Sequence, residues 1–306
     1  MKIFITGGSG YIGSHIARSI SLEGNEVFII DNCFIQGGVQ GIACDISLSS
    51  SADSLTQAFQ GAPRDSVVIH LAAKKSVSES VLNPDLYEGN NLGSTQNLLT
   101  AMKDTGLDKL IFASTAAVYG NLNPLVDEYS QTHPISPYAV TKLREEALIK
   151  EAHNSWGLKF LIARYFNVSG AGWSDLVERN GENIFPKILQ AVEQKTTFKI
   201  FGTDYPTPDG TCIRDYIHVM DLVEAHKIAI HAIQEESLGV INLGTSNGAS
   251  VLELLEEFHR HLDFDVAAAP KRDGDIPSLL TKCDLARARL GWIAKRNIQQ
   301  LVSSVI

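Results

Sequence analysis

The sequence predicts an α/β fold, a doubly wound parallel sheet with a smaller C-terminal lobe, and three observations carry that prediction. Apolar runs of strand length alternate with helical periods through the first half of the chain. These runs are apolar throughout, as strands covered on both faces must be. Beyond about Gly170 the alternation loosens into Gly-, Pro- and Asp-rich segments such as Gly202 to Gly210. With 306 residues, 44% hydrophobic and 20% charged, the chain can bury a sizeable core.

The first strand is expected at Lys2 to Ile5. It runs into Thr6-Gly7-Gly8-Ser9-Gly10-Tyr11-Ile12-Gly13, and a helix follows from about Tyr11 to Leu22. Such a turn bends sharply, lets a pyrophosphate approach its backbone and packs helix on strand. Each task favours a residue without a Cβ. The helix N-terminus then offers N–H groups and a positive dipole end to the phosphates. A second strand, Glu26 to Ile30, delivers Asp31 about 20 residues after the glycines, as ribose recognition requires. A carboxylate there accepts from the adenosine ribose and repels a 2′-phosphate. Strand, glycines, helix, strand and acid in this order predict a Rossmann-like unit that binds NAD rather than NADP. A Gly-rich turn without a ligand is the competing reading.

Further strands are expected at Val67 to His70, Lys109 to Ser114 and Leu158 to Arg164, with helices from Leu86 to Met102 and Pro137 to Ala152 between them. Ligands on such sheets bind beyond the carboxyl ends of the strands. That marks Asp31, the Ala72-Ala73-Lys74-Lys75 turn and Ser114-Thr115. Later, Ile213 to Val219 reads as a strand, Met220 to Ala232 as a helix capped by Asp221, and Val240 to Leu243 as a strand. The chain is thus expected to leave the sheet, return and leave again. The boundaries drawn from this pattern are 1–169 plus about 214–245 for the NAD-binding domain, and about 170–213 plus 246–306 for the lobe. Asn32 to Cys44 has no helical period and reads as loop.

The net charge of −9 argues against nucleic acid or an anionic membrane as a partner, so any anionic substrate must be held by local cations. Cys33, Cys44, Cys212 and Cys283 are scattered and read as reduced thiols. His259 and His261 find no further ligands nearby, and no metal site is expected. The chain opens directly on a strand, with neither a signal-peptide pattern nor a long apolar run, which predicts a cytoplasmic protein.

Tyr138 and Lys142 stand at i and i+4 on the helix opened by Pro137, hence on one face. A phenol is a poor base at neutral pH. Lowering its pKa from about 10 to about 7 takes roughly 4 kcal/mol of preferential stabilisation of the phenolate. A neighbouring ammonium and a positive nicotinamide ring can supply that in a partly dry site. Ser114 or Thr115 can bring a hydroxyl to the reacting oxygen. The same spacing also arises by chance in a chain with 8 tyrosines, and a surface pair on an amphipathic helix is the competing reading.

The glycines, the hydroxyl residue and YxxxK in this order resemble the extended short-chain dehydrogenase/reductase family. Longer stretches resemble its UDP-glucose (UDP-galactose) 4-epimerases over nearly the whole chain. They include HLAAKKSVSES from His70, NNLGST from Asn90, FASTAAVYG from Phe112, SPYAVTK from Ser136 and ARYFNVSGA from Ala163. FGTDYPTPDGTCIRDYIHVMDLVEAH from Phe201, NLGTSNG from Asn242 and RDGDIP from Arg272 continue the match. The resemblance implies an isomerase of galactose metabolism that epimerises UDP-galactose to UDP-glucose through a transient 4-keto sugar. It implies NAD as cofactor, a UDP-sugar-binding lobe and a homodimer, and leaves open whether N-acetylhexosamine forms are taken.

By position the resemblance makes Thr115, Tyr138 and Lys142 catalytic. Around NAD it sets Gly7, Gly10, Tyr11, Ile12, Gly13, Asp31, Asn32, Asp45, Ile46, Leu71, Ala72, Ala73, Lys75, Asn91 and Tyr165, with Tyr138 and Lys142. Around the UDP-sugar it sets Thr115, Tyr138, Asn167, Asn183, Ile184, Phe201, Arg214, Arg272, Asp275 and Leu279. An arginine fork suits diphosphate oxygens, although singly each arginine reads as surface charge and Asp275 as a turn former. Three departures stand out: Ala73 where many members have Gly, a short loop after Asp31, and Leu279 where relatives often carry Tyr beside the sugar. Thr115 is followed by Ala116 and Ala117, not by the acid pair of 4,6-dehydratases. A uronate epimerase or decarboxylase would want a carboxylate-binding cation that cannot be picked out. A non-catalytic NAD-binding sensor would have no reason to keep Thr115, Tyr138 and Lys142. For the dimer, the helices Leu86 to Met102 and Pro137 to Ala152 would meet their copies, unless Leu92, Leu98, Leu99 and Met102 face the sheet instead.

Overall fold

A computed structural model of the chain describes residues 1–33, 39–272 and 274–306. Its strands are β1 (Lys2–Thr6), β2 (Glu26–Asp31), β3 (Gln40–Ala43), β4 (Val67–His70), β5 (Lys109–Thr115), β6 (Leu125–Val126) and β7 (Lys159–Tyr165). They continue with β8 (Asn167–Ser169), β9 (Phe198–Phe201), β10 (Ile213–His218), β11 (Gly239–Leu243), β12 (Gly248–Ser250), β13 (Val266–Ala269) and β14 (Ser278–Thr281). The helices are α1 (Tyr11–Leu22), α2 (Ser51–Phe59), α3 (Val77–Leu82), α4 (Pro84–Tyr87), α5 (Gly93–Thr105) and α6 (Pro137–Trp156). After them come α7 (Ile184–Gln194), α8 (Val219–Ala232), α9 (Val251–His259), α10 (Asp284–Leu290) and α11 (Ile298–Ser303). The chain divides into two compact units. The first holds 1–118, 134–164 and 223–241, and the second holds 119–133, 165–222 and 242–306.

The first unit is built on a seven-stranded sheet in the order β11-β7-β5-β4-β1-β2-β3. Its central pairs are parallel: Ile5 lies beside Ile29 and Ile69, and Ile69 beside Ile111. Ile3, Phe4, Ile5, Val67, Val68, Ile69, Leu110, Ile111 and Phe112 are fully buried, because helices cover both faces of this sheet. One core gathers Phe4, Phe59, Val68, Leu98, Met102, Phe112, Ile149 and Ile162. Leu98 and Met102 therefore face this core, with Leu99 packed against it. The helix expected at Leu86 to Met102 is α4 and α5 joined by a π-helical turn, Glu88–Leu92. Part of the segment read as loop, Gln40–Ala43, forms β3 at the sheet edge, paired in parallel with β2; residues 34–38 lie outside the described residues.

The expected return to the sheet is made by β11, not by Ile213–His218. That strand, β10, pairs in parallel with β8 and β14 and antiparallel with β12, all in the second unit. Its polar Arg214 and Asp215 already set it apart from the apolar strands of a doubly covered sheet. Residues 165–169, 214–222 and 242–245, drawn into the first domain on sequence, accordingly fall in the second unit, as does 119–133. Asp221 does not cap α8. Its carboxylate accepts the N–H groups of Lys295 (3.1 Å) and Arg296 (2.9 Å) and pairs with the Arg296 guanidinium at 2.5 Å. His218 Nδ1 accepts the Met220 N–H instead, at 3.0 Å. The second core gathers Phe185, Ile188, Leu189, Tyr216, Leu254, Phe258, Leu301 and Val302. Among the described residues no helix is long and apolar enough to cross a membrane, and no group of three or more His, Cys, Asp or Glu could hold a metal.

Candidate active site

The glycine turn closes on itself at the carboxyl end of β1. Gly7 sits at φ +69°, donates to Ile30 O (2.9 Å) and accepts from Gly10 N (3.1 Å). A Cβ on Gly13 would stand 2.2 Å from Gly7 O, so α1 lies too close to the turn for any side chain there. No side chain caps α1 at Gly10, which leaves the N-terminus of the helix, with Tyr11 and Ile12 in its first turn, to an anion. Buried Asp31 accepts Ser9 N at 2.9 Å on one oxygen and Cys33 N at 3.0 Å on the other. Each oxygen keeps a further lone pair for a ribose hydroxyl. Asn32 is exposed beside it, while Asp45 and buried Ile46 follow β3. These groups fit a dinucleotide: a cradle that a Cβ would fill, an uncapped helix end, and a carboxylate at the next strand end.

Leu71, Ala72 and Ala73 leave the end of β4, with Leu71 N donating to Thr6 O at 3.0 Å and Ala72 N to Thr6 Oγ1 at 3.4 Å. Lys75 is exposed on the same turn. Asn91, on the π-helical turn, points inward. Its Oδ1 accepts Lys74 N (2.9 Å), and its amide donates to Lys74 O (3.1 Å) and Thr141 Oγ1 (3.2 Å). Fully buried, it spends its amide on pinning the 71–75 turn, whereas neighbouring Asn90 is half-buried.

The structure separates the two candidate hydroxyls at the end of β5. Ser114 donates to Glu146 Oε1 at 2.6 Å, and Arg164 forks onto the same carboxylate at 2.9 and 2.6 Å. Thr115 is hydrogen-bonded to Tyr138, and its Oγ1 accepts Ala117 N at 3.2 Å. Ser136 caps α6 by accepting Ala139 N at 3.2 Å, and Pro137 opens the helix, which fixes where Tyr138 emerges. Burial pushes the Tyr138 phenol well above its ordinary range, the Thr115 bond opposes this, and Glu145 and Tyr87 add to it. Lys142 is buried one turn on, its ammonium 3.2 Å from Glu145 Oε2 and 4.5 Å above the Phe112 ring. Glu145, Glu146, His70 and Thr95 carry polar chemistry into this interior and were missed on sequence. Two adjacent glutamates on a helix look like a solvated face, and only the burial of both α6 carboxylates gives them away.

In the second unit a cavity of about 600 Å³ is lined by Asn167, Asn183, Ile184, Phe201, Arg214, Arg272 and Asp275, among others. Arg214, Arg272, Lys187 and Lys199 line it against the carboxylates of Glu182 and Asp275, an excess of positive charge suited to a diphosphate. The Arg272 guanidinium lies 3.8 Å over the Phe201 ring, and Arg214 Nη2 is 3.0 Å from Asp275 Oδ1. Asn183 precedes α7 and donates to Glu178 at 3.2 Å. Buried Leu279 lies beside Arg214 in the β10–β14 register and is not among the described residues that line the cavity. Tyr165 ends β7, buried, its phenol pushed up by desolvation.

The sequence profile of the "NAD dependent epimerase/dehydratase family" matches residues 3–244. A UDP-glucose 4-epimerase of Halalkalibacterium halodurans is 38% identical, over 96% of this chain and 91% of its own. Among solved structures, the UDP-glucose 4-epimerase of Stenotrophomonas maltophila, with bound NAD and formylated UDP-arabinopyranose, superposes with a TM-score of 0.91. It is 34% identical and matches over 99% of this chain and 96% of its own. The enzyme of Bifidobacterium longum, in complex with NAD+ and UDP, gives a TM-score of 0.90 at 32% identity, over 99% and 96% of the two chains. The chain belongs to the NAD dependent epimerase/dehydratase family, among its UDP-glucose 4-epimerases.

Proposed function

We propose that this chain interconverts UDP-galactose and UDP-glucose by NAD-dependent 4-epimerisation, through a transient 4-keto sugar. The observation that carries the reading is the hydrogen-bonded pair Thr115–Tyr138 with Lys142 one helical turn away. Gly7, Gly10, Tyr11, Ile12 and Gly13 would hold the cofactor's pyrophosphate, and Asp31 its ribose, with Asn32, Asp45, Ile46, Leu71, Ala72, Ala73, Lys75, Asn91 and Tyr165 around the rest. NAD, when bound, supplies the nicotinamide that takes up the hydride from the sugar and returns it. Tyr138 accepts the proton of the sugar 4-hydroxyl as the carbonyl forms and gives it back on reduction. Burial alone holds this phenol too high for that task. The Lys142 ammonium favours the phenolate, and the Thr115 hydroxyl stabilises it by donating to it.

Arg214 and Arg272 would grip the diphosphate and Phe201 the uracil end, with Asn167, Asn183, Ile184 and Asp275 about the nucleotide. A sugar that must turn over between two hydride transfers cannot be held firmly in one pose, so binding energy belongs on the nucleotide. Leu279 stands where relatives often carry Tyr beside the sugar, and the smaller side chain would leave more room there. We therefore infer that UDP-N-acetylgalactosamine is also turned over, about tenfold less efficiently than UDP-galactose. Four free cysteines, with Cys33 exposed, suit a reducing, cytoplasmic setting, and we infer a homodimer.

The test is to incubate the protein with UDP-galactose and UDP-N-acetylgalactosamine separately and resolve the products chromatographically. Tyr138→Phe should lower kcat by about two orders of magnitude or more while UDP binds as before. Near-wild-type kcat in that variant would remove Tyr138 from the mechanism, and conversion of neither sugar would end the 4-epimerase reading.

A further inference from the structure

One fully buried carboxylate has no part in the mechanism above. Glu145 lies three residues beyond Lys142 on α6, with Oε2 3.2 Å from the ammonium. Its Oε1 accepts the Thr95 hydroxyl at 2.7 Å. Having given its one proton to Glu145, Thr95 Oγ1 must accept from His70 Nε2 at 3.1 Å. That assigns the His70 proton to Nε2, so Nδ1 accepts the Thr6 hydroxyl at 2.6 Å. Thr6 Oγ1 in turn lies 3.4 Å from the Ala72 amide, which donates to it. The relay runs one way, from Ala72 N–H through Thr6, His70 and Thr95 to Glu145, with each hydroxyl and ring proton used once. It requires a neutral imidazole, and burial together with Lys142 holds the His70 pKa at about 3.

A carboxylate is an expensive way to end such a relay, because a glutamine would accept from Thr95 without a buried charge. What glutamine lacks is the charge that faces Lys142. The ammonium is held on one side by Glu145 and on another by the face of Phe112. We propose that Glu145 is a positioning residue for the epimerisation: it fixes Lys142 beside Tyr138 and ties it, through Thr95, His70 and Thr6, to the Ala72 turn that NAD would contact. The inference rests on the NAD-binding and proton-transfer reading of Ala72, Tyr138 and Lys142. It makes the cofactor turn and the ammonium parts of one relay, so that disturbing either end loosens the other.

The experiment uses the NAD-loaded protein and compares wild type with Glu145→Gln and Thr95→Val, after circular dichroism and melting have checked the fold. Glu145→Gln keeps the size and the acceptor for Thr95 and removes only the charge. It should release NAD about tenfold faster on dilution into cofactor-free buffer and lower kcat by about tenfold, with the UDP dissociation constant within about twofold of wild type. Thr95→Val keeps the carboxylate but cuts the relay, and should move NAD release the same way by a smaller factor. A Glu145→Gln protein that keeps NAD and kcat within about twofold overturns the proposal, since a group that only packs or accepts from Thr95 predicts that result. If this variant does not fold, Thr95→Val decides, and unchanged NAD release overturns the tie. Wild type that holds NAD but turns over no UDP-sugar overturns the 4-epimerase reading alone, because NAD release still judges Glu145. Wild type that binds no NAD overturns both.

Discussion

His70 is a neutral ring in the interior, its two nitrogens engaged by Thr6 and Thr95, with Lys142 and Glu145 the charged groups that face it across the relay. An unfolded chain would protonate this imidazole near its ordinary value of 6.5, whereas the folded chain resists until about 3. A folded pKa below the unfolded one means that the contribution is fully present above pH 6.5 and is lost as pH falls. The loss runs at up to about 1.4 kcal/mol per pH unit. Urea unfolding between pH 7.5 and 5 should therefore show falling stability. His70→Gln, which can accept from Thr6 and donate to Thr95, should flatten that slope. An unchanged slope in the variant would show that His70 is not the acid-sensitive group. At this scale the sequence was legible where chemistry has a fixed spacing, as at Tyr138 and Lys142. It was opaque at Glu145, because a buried carboxylate and a surface one are the same letter, and at Asn91, whose inward use depends on a π-helical turn.

Helix α1 meets the glycine turn at a separation that only glycine permits. Gly13→Ala would drive a methyl to 2.2 Å from Gly7 O and 2.8 Å from Gly8 Cα, so the turn must open. We expect a cost of about 1–3 kcal/mol and loss of NAD binding together. Gly10→Ala has its nearest contact at 3.3 Å, from Gly7 O, and it stands at the uncapped N-terminus of α1, which would meet a pyrophosphate. It should weaken NAD binding with little change in melting temperature, and equal melting losses in both variants would sink the distinction. The glycine spacing that exposed this turn in the sequence is a packing requirement as much as a ligand requirement. The same legibility did not extend to β10, whose pairing with β8, β12 and β14 comes from segments far apart in the chain. Nor did it extend to β3, too short and too polar to show a period.

Association belongs to the molecule as a whole. Of Leu92, Leu98, Leu99 and Met102, the apolar residues that could have served a partner, Leu98 and Met102 face the core of the sheet, Leu99 packs against it and Leu92 is buried. Among the exposed large apolar side chains, Val77, Val81, Leu82, Leu86 and Val140 share α3, α4 and α6, with Leu82 79% exposed. Exposed apolar groups gathered on adjacent helices are costly to leave in water and suit burial against a second copy. Light scattering at micromolar concentration should therefore give twice the chain mass, and Val81→Glu combined with Leu82→Glu should return it to one. A wild-type protein that scatters as a single chain would overturn the dimer.

The order of the seven-stranded sheet also has a consequence for how the protein is made. Its outermost strand on one side is β11, which lies next to β7 in space but is separated from it in sequence by β8, α7, β9, β10 and α8. A ribosome that has finished β7 must therefore synthesise all of these before the sheet can close. During that interval β7 is an open parallel edge, a row of unpaired N–H and C=O groups on an apolar strand. Chains stalled or cut before Gly239 should carry that edge permanently, and they are the species from which chaperone capture or edge-to-edge aggregation would start.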